Sequence, residues 1–346
     1  MRPRPAARLS LLASTALGAT YPTCLKVLYA VDDGAPLTPD GILLLRFMLM
    51  AGGAQVILTA TDEASRPSAS PGFWRAAMEL GVWAWAGAYC NTAGLQQISA
   101  IRGTVLLSVV NLLTPALSST LGTSEAQRRV DSRTWLACTL ALLSTLYALA
   151  DGSAATSPGA DPTTTLHVSD GDSLALGAAF CYATQQVRLS SLVAEYPAQQ
   201  LAAARLQMQA AISVAVLACG AAGVGGHPGA EVRPPIDALP AWALELSAAQ
   251  AGLIVFSALT GIGGTLLQYQ GQRVIPASSA QPIYASAPLL GAVWAALVLH
   301  ESISRSELVG GLGIGVAAWL AATARTTAPY SSEETPRPER DEGIGS

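Results

Sequence analysis

The chain has 346 residues, of which 51% are apolar and only 12% charged, and its mean hydropathy is +0.40. A soluble domain carries about 25% charged residues, so two or three soluble domains adding up to this length are excluded, because they could not cover their surfaces. The net charge of -4 leaves no basic footprint for nucleic acid, and the sequence reads as an integral membrane protein.

A helix that crosses the hydrocarbon core needs about 20 mostly apolar residues. Ten stretches qualify, at 9–30, 41–60, 76–98, 103–122, 134–150, 172–194, 200–222, 248–271, 276–299 and 307–324. They are too long, and alternate too little, for barrel strands of about 10 residues. The expected fold is therefore an all-α integral membrane protein with ten transmembrane helices. Arg2, Arg4 and Arg8 before LSLLASTALGA also suit a signal peptide, but cleavage there would remove the first helix of the repeat described below.

Residues 151–171 and 220–247 are rich in Gly, Pro and Ser and read as loops, and the tail 325–346 reads as disordered. With a cytoplasmic N-terminus, fourteen arginines fall on or toward that face. Only Arg102, Arg233 and Arg305 fall on the other, while Lys26 and Arg46 lie within spans. This positive-inside bias, with an even number of spans, puts both termini in the cytoplasm.

Self-comparison shows an internal repeat. Gly18-Ala19-Thr20-Tyr21 recurs as Gly177-Ala178-Ala179-Phe180, and Arg46 recurs as Arg205, both at an offset of 159 residues. GLQQISA (94–100) recurs as GQRVIPA (271–277), and LTPAL (113–117) as SAPLL (286–290). The expected organisation is a cytoplasmic segment 1–8, a five-helix repeat 9–150, a linker 151–171, a second five-helix repeat 172–324 and the tail 325–346. Five is odd, so the second repeat crosses the membrane in the opposite sense to the first. Inverted repeats of this kind are a signature of secondary transporters, with the substrate site near the midplane.

The stretch IPASSAQPIYASAPLLGAVWAALVLHESISRSELVGGLGIGVAAWL (275–320) resembles the end of an EamA-type domain. Gly18 to Lys26, Arg46-Phe47 and ELGVWAWAGAYCNTAGLQQISAIRG (79–103) resemble the matching parts of a first such domain. The resemblance implies the drug/metabolite transporter superfamily: two inverted five-helix repeats carrying small organic solutes. One departure is visible. The Glu closing the fourth span of a repeat stands at Glu301 in the second half, whereas Glu125 in the first half is displaced.

Candidate pathway residues are the polar groups inside spans: Tyr21, Lys26, Arg46, Asn91, Asn111, Tyr182, Gln185, Gln268 and Tyr284. For Arg46 two readings stand, an anion-attracting residue or a clamp on backbone carbonyls; its duplicate Arg205 is assigned, with Glu301, a structural or cavity role. Lys26, the sole lysine, either meets an acidic substrate group or snorkels to the outer surface. Buried amides and phenols suit hydrogen bonding to solutes and also serve as interhelical glue. Trp83, Trp85, Tyr89, Tyr284 and Trp294 could form an aromatic wall, and Gly310, Gly311, Gly313 and Gly315 a packing face.

The chain has no HExxH, no Cys/His cluster and no phosphate loop, so no enzyme activity, metal or cofactor is expected. The expected function is secondary transport of small organic solutes or metabolites by exchange, facilitated diffusion or ion-gradient coupling. No acid sits clearly at mid-span, which favours exchange or uniport. The alternative is a non-transporting membrane scaffold or receptor. The expected partners are the lipid bilayer and a small-molecule solute, with a homodimer compatible and no nucleic acid.

Overall fold

The computed structural model of the chain describes residues 5–31, 37–60, 70–122, 168–221, 245–275, 277–284, 286–300 and 305–323. It also describes helical residues at 135–137, 139–140, 143–144 and 147. The expectations placed on Glu125, the body of the linker, the tail and Glu301 lie outside the described residues.

All regular structure among the described residues is helical. In chain order the helices are α1 (Pro5–Ala19), α2 (Tyr21–Ala30), α3 (Pro39–Ala60), α4 (Pro71–Gln97), α5 (Ala100–Leu107) and α6 (Val110–Leu121). They continue as α7 (Asp170–Glu195), α8 (Ala198–Ala221), α9 (Ala248–Gln272), α10 (Ala277–Tyr284), α11 (Ala287–Val298) and α12 (Arg305–Thr323). Their starts are written in the sequence. Ser70, Ser99, Ser169 and Ser247 each stand before a helix and accept a hydrogen bond from a backbone amide of its first turn. At Ser169 and Ser247 the third helical residue, Asp172 or Gln250, reaches back to complete a capping box.

Prolines divide the first and ninth apolar stretches into helix pairs. Pro22 stands in the first turn of α2 and Pro288 in that of α11, where a missing N–H is tolerated. Pro115 stands in the body of α6, so the carbonyl of Asn111, four residues earlier, has no helical donor. Among the described residues, four helical segments are each long and apolar enough to cross a membrane: Pro39–Ala60, Ala100–Leu121, Ala198–Cys219 and Ala248–Gln272. α4 and α7 are longer, at 27 and 26 residues, and an ion pair between Glu79 and Arg188 joins them.

α4 lies along α7, α1 along α9 and α3 along α8, with α8 also against α4 and α9 against α3. Bare glycines set the closest approaches. A Cβ at Gly94 of α4 would stand 3.0 Å from the Gly171 carbonyl of α7, and one at Gly271 of α9 would stand 3.2 Å from the Ala7 carbonyl of α1. Gly171 lies near Gly94 while Arg188 reaches Glu79, so α4 and α7 run antiparallel. Gly264 meets Ser14 and Gly271 meets Leu11, so α1 and α9 run antiparallel as well.

The exterior of the bundle is apolar, and several polar groups are buried inside it. Leu9, Val56, Leu259, Leu297 and Trp319 are each more than 60% exposed, whereas Asn91, Gln185, Arg205, Gln209 and Gln281 are buried. An apolar exterior of this extent would aggregate in water; around polar interior groups, it suits lipid.

Candidate functional site

Among the described residues, three polar clusters lie between the helices. The first centres on Arg46 of α3. Its guanidinium carbon stands 4.0 Å over the Tyr21 ring of α2, and its Nε donates to the Ser257 carbonyl of α9 at 3.4 Å. The fork rests against bare Gly261, where an added Cβ would come within 2.9 Å of Nη2. Tyr21 exchanges a 2.8 Å hydrogen bond with the Thr92 hydroxyl of α4, and the Tyr29 hydroxyl donates to the Thr92 carbonyl at 3.1 Å. A cation over a ring face and a carbonyl acceptor are both favourable for an arginine at this depth, which otherwise costs about 2.5–3.5 kcal/mol.

The second cluster centres on Arg205 of α8. Its guanidinium carbon is 5.9 Å from the centre of the Tyr269 ring of α9. The Tyr269 hydroxyl has both Arg205 and the Gln185 side chain of α7 beside it, but neither meets it in hydrogen-bonding geometry. Gln209 lies one turn beyond Arg205 on the same helix face. Tyr182 of α7 connects the two clusters: it lies in the field of both arginines, and its ring packs on bare Gly87 of α4.

In the third cluster the Tyr284 hydroxyl of α10 accepts from Gln272 Nε2 of α9 at 3.1 Å and has Gln268 beside it. Nearby on α10, Gln281 Nε2 donates to Gln186 Oε1 of α7 at 2.9 Å.

The structure thus gathers Tyr21, Arg46 and Tyr182 in one region, Gln185 with Arg205 in a second, and Gln268 with Tyr284 in a third. Asn91 is buried beside Thr92, while Lys26 on α2 and Asn111 on α6 are half-buried. Glu301 lies outside the described residues. The aromatic groups separate. Trp85 stacks on Tyr89 at 5.4 Å and donates from Nε1 to the Ser213 hydroxyl at 2.9 Å, whereas Trp83 meets Phe180 edge-on at 6.2 Å. Trp294 corrects the sequence expectation: at 44% exposure it faces outward rather than into a pocket wall. Twelve residues of ninth-span sequence with mostly small apolar neighbours do not fix which side of the helix an indole takes.

Two features were missed by sequence reasoning. Tyr269 and Gln209 are fully enclosed, and neither stands among the candidate pathway residues. The Arg102–Asp172 ion pair joins the starts of α5 and α7, with Nε–Oδ1 at 2.7 Å and Nη2–Oδ2 at 3.0 Å. Ser169 and Asp172 at capping-box spacing were the available signal that this carboxylate is held in place. A second pair, Arg188 with Glu79, joins α7 to α4 and includes an Nη2–Oε2 bond of 3.0 Å. Among the described residues, no group of three His, Cys, Asp or Glu side chains could hold a metal ion.

Residues 169–323 match the EamA-like transporter family. No curated protein sequence matches the chain. A solved structure, described only as a crystal structure of a protein, superimposes with a TM-score of 0.61 over 92% of this chain and 96% of its own, at 15% identity. At that identity the likeness is one of fold alone. The family match and the apolar exterior together make the chain an integral membrane protein.

Proposed function

We propose that this chain, whose residues 169–323 belong to the EamA-like transporter family, is a secondary transporter of small organic solutes, built from two inverted five-helix repeats with ten spans. The observation that carries the reading is the set of polar side chains buried between helices of the two halves in a protein whose outside is apolar. A scaffold gains nothing from burying Arg46, Gln185, Arg205 and Tyr269 together, whereas a solute path needs groups that can replace hydration.

The packing supports the repeat. Exchanging the halves turns the α4–α7 contact into α9–α1 and the α4–α8 contact into α9–α3, and leaves α3–α8 as itself; all of these contacts are made. Gly94 and Gly271, which open the matching motifs GLQQISA and GQRVIPA, both sit at close helix approaches. The ion pairs agree with the ten-span count: Arg102 and Asp172 belong to span ends assigned to the outer face, Glu79 and Arg188 to ends assigned to the cytoplasmic face. Both termini are then cytoplasmic. No ATP-binding motif is present in the sequence, so flux is secondary, by exchange, facilitated diffusion or ion-gradient coupling.

The test is solute counterflow with purified protein in liposomes, screened across anionic, zwitterionic and neutral metabolites. Gln185→Trp is expected to lose most of the flux while eluting as a folded, monodisperse protein. Undiminished flux in that variant would remove α7 from the path. Lys26→Ala gives a second expectation: a rise in apparent KM confined to anionic solutes. An equal loss for neutral solutes, with a lower Tm, would make Lys26 a structural residue.

A further inference from the structure

Most arginines inside the bundle have an identifiable partner. Arg102 and Arg188 hold carboxylates, and Arg46 has the Ser257 carbonyl and the Tyr21 ring. Arg205 has only the more distant Tyr269 ring, 5.9 Å from its guanidinium carbon. It is 8% exposed, its Nε has no hydrogen-bond partner, and among the described residues no carboxylate stands within ion-pair distance. The groups around it share this condition: Gln209 is 1% exposed with both amide atoms unpaired, Tyr269 is 0% exposed with an unpaired hydroxyl, and Gln185 is 3% exposed with an unpaired Nε2. Buried polar groups are normally satisfied, because each orphan carries its full desolvation cost. Four of them, from three helices, with one of them cationic, describe the complement of an absent ligand.

We propose that Gln185, Arg205, Gln209 and Tyr269 bind the polar head of a small hydroxy- or amino-carboxylate, with the Arg205 guanidinium taking the carboxylate. The proposal rests on the transporter reading and specifies its substrate class. The inventory of unpaired atoms selects the chemistry. Arg205 Nε, Gln185 Nε2 and Gln209 Nε2 are donors, which an anion with two in-plane oxygens satisfies in the fork geometry of a guanidinium. Gln209 Oε1 is an unpaired acceptor, which calls for an O–H or N–H donor beside the carboxylate. A phosphate dianion fits less well. It would need a second cation, and Arg46 is already engaged with Ser257 and Tyr21.

The test uses the full-length protein in detergent, with lactate as the probe and phosphate and glycerol as comparisons at matched ionic strength. Lactate is expected to raise the Tm of the wild type by a few degrees in a saturable way, and phosphate and glycerol to leave it unchanged. Arg205→Lys, which keeps the charge and loses the fork, should weaken half-saturation about tenfold. Because Arg205→Gln could simply fold poorly, the decisive variant is Gln209→Glu. It supplies an internal carboxylate one turn from Arg205, so it should raise the Tm and abolish the lactate shift. A lactate shift that persists in Gln209→Glu, its absence in the wild type, or a shift with phosphate alone would each overturn the proposal. Counterflow of neutral solutes without any lactate shift would overturn this site and leave the transporter reading standing. A lactate shift that Gln209→Glu removes, with no flux of any solute, would support the site and overturn the transporter reading.

Discussion

Asp172→Ala is expected to destabilise the protein by about 3–5 kcal/mol, the cost of leaving a buried charge without its partner, seen as a large fall in Tm. The Asp172 carboxylate is 1% exposed and receives two bonds from Arg102, at 2.7 and 3.0 Å, and one from the Ser169 amide at 3.0 Å. That bidentate arrangement is the strong form of a charged hydrogen bond. It ties the start of α5 to the start of α7, so its loss frees two helix ends as well as one cation. Asp172→Asn keeps an acceptor for the Ser169 amide and should fall between alanine and wild type. The Glu79–Arg188 pair provides the internal comparison. Its side chains are 34% and 28% exposed, and pairs in that range contribute about 0–1 kcal/mol, so Glu79→Gln should shift the Tm little. Equal losses for Glu79→Gln and Asp172→Ala would show that burial does not set the size of the effect.

The reason sequence reasoning located the helices but not this pair is the range over which each is encoded. Apolar runs mark helices locally, and Arg46 and Arg205 stood out as charges within them. Arg102 and Asp172 are 70 residues apart, and their meeting depends on how α4, α5 and α7 pack, which no local pattern records. The same limit governs the polar clusters. Gln185, Gln209 and Tyr269 lie in helices so rich in small apolar residues that either side could face inward, and rotation about the helix axis decides whether an amide becomes glue or meets a solute. Trp294 shows the opposite outcome, an indole turned to the exterior. Arg46 and Arg205 were legible as costly residues but not as different ones: Arg46 donates from Nε to the Ser257 carbonyl, whereas Arg205 Nε has no acceptor.

Glycine substitutions give the other large expected effect, and its size should follow the space at each site rather than residue type. Gly94→Val is expected to destabilise by about 1–3 kcal/mol or more, the usual cost of overpacking. A Cβ there would press on the Gly171 carbonyl at 3.0 Å and Leu174 Cβ at 3.3 Å, and neither can move without separating α4 from α7. Gly271→Val should behave alike: Leu11 can swing away from its 2.5 Å contact, but the Ala7 carbonyl at 3.2 Å cannot. The glycines of α12 divide, contrary to a single packing stripe. A Cβ at Gly313 would collide with Ser144, whereas at Gly311 and Gly315 it would meet no described atom within 4 Å. Gly311→Ala and, in α9, Gly252→Ala are therefore expected to be neutral, or stabilising by up to about 1 kcal/mol through helix propensity. Thermal unfolding of the set in one detergent decides the matter. Should Gly252→Ala lose as much as Gly94→Val, close backbone approach would not be what holds these helices together; the expected order, with Gly94 and Gly271 intolerant and Gly252 and Gly311 tolerant, ties stability to the α4–α7 and α1–α9 seams.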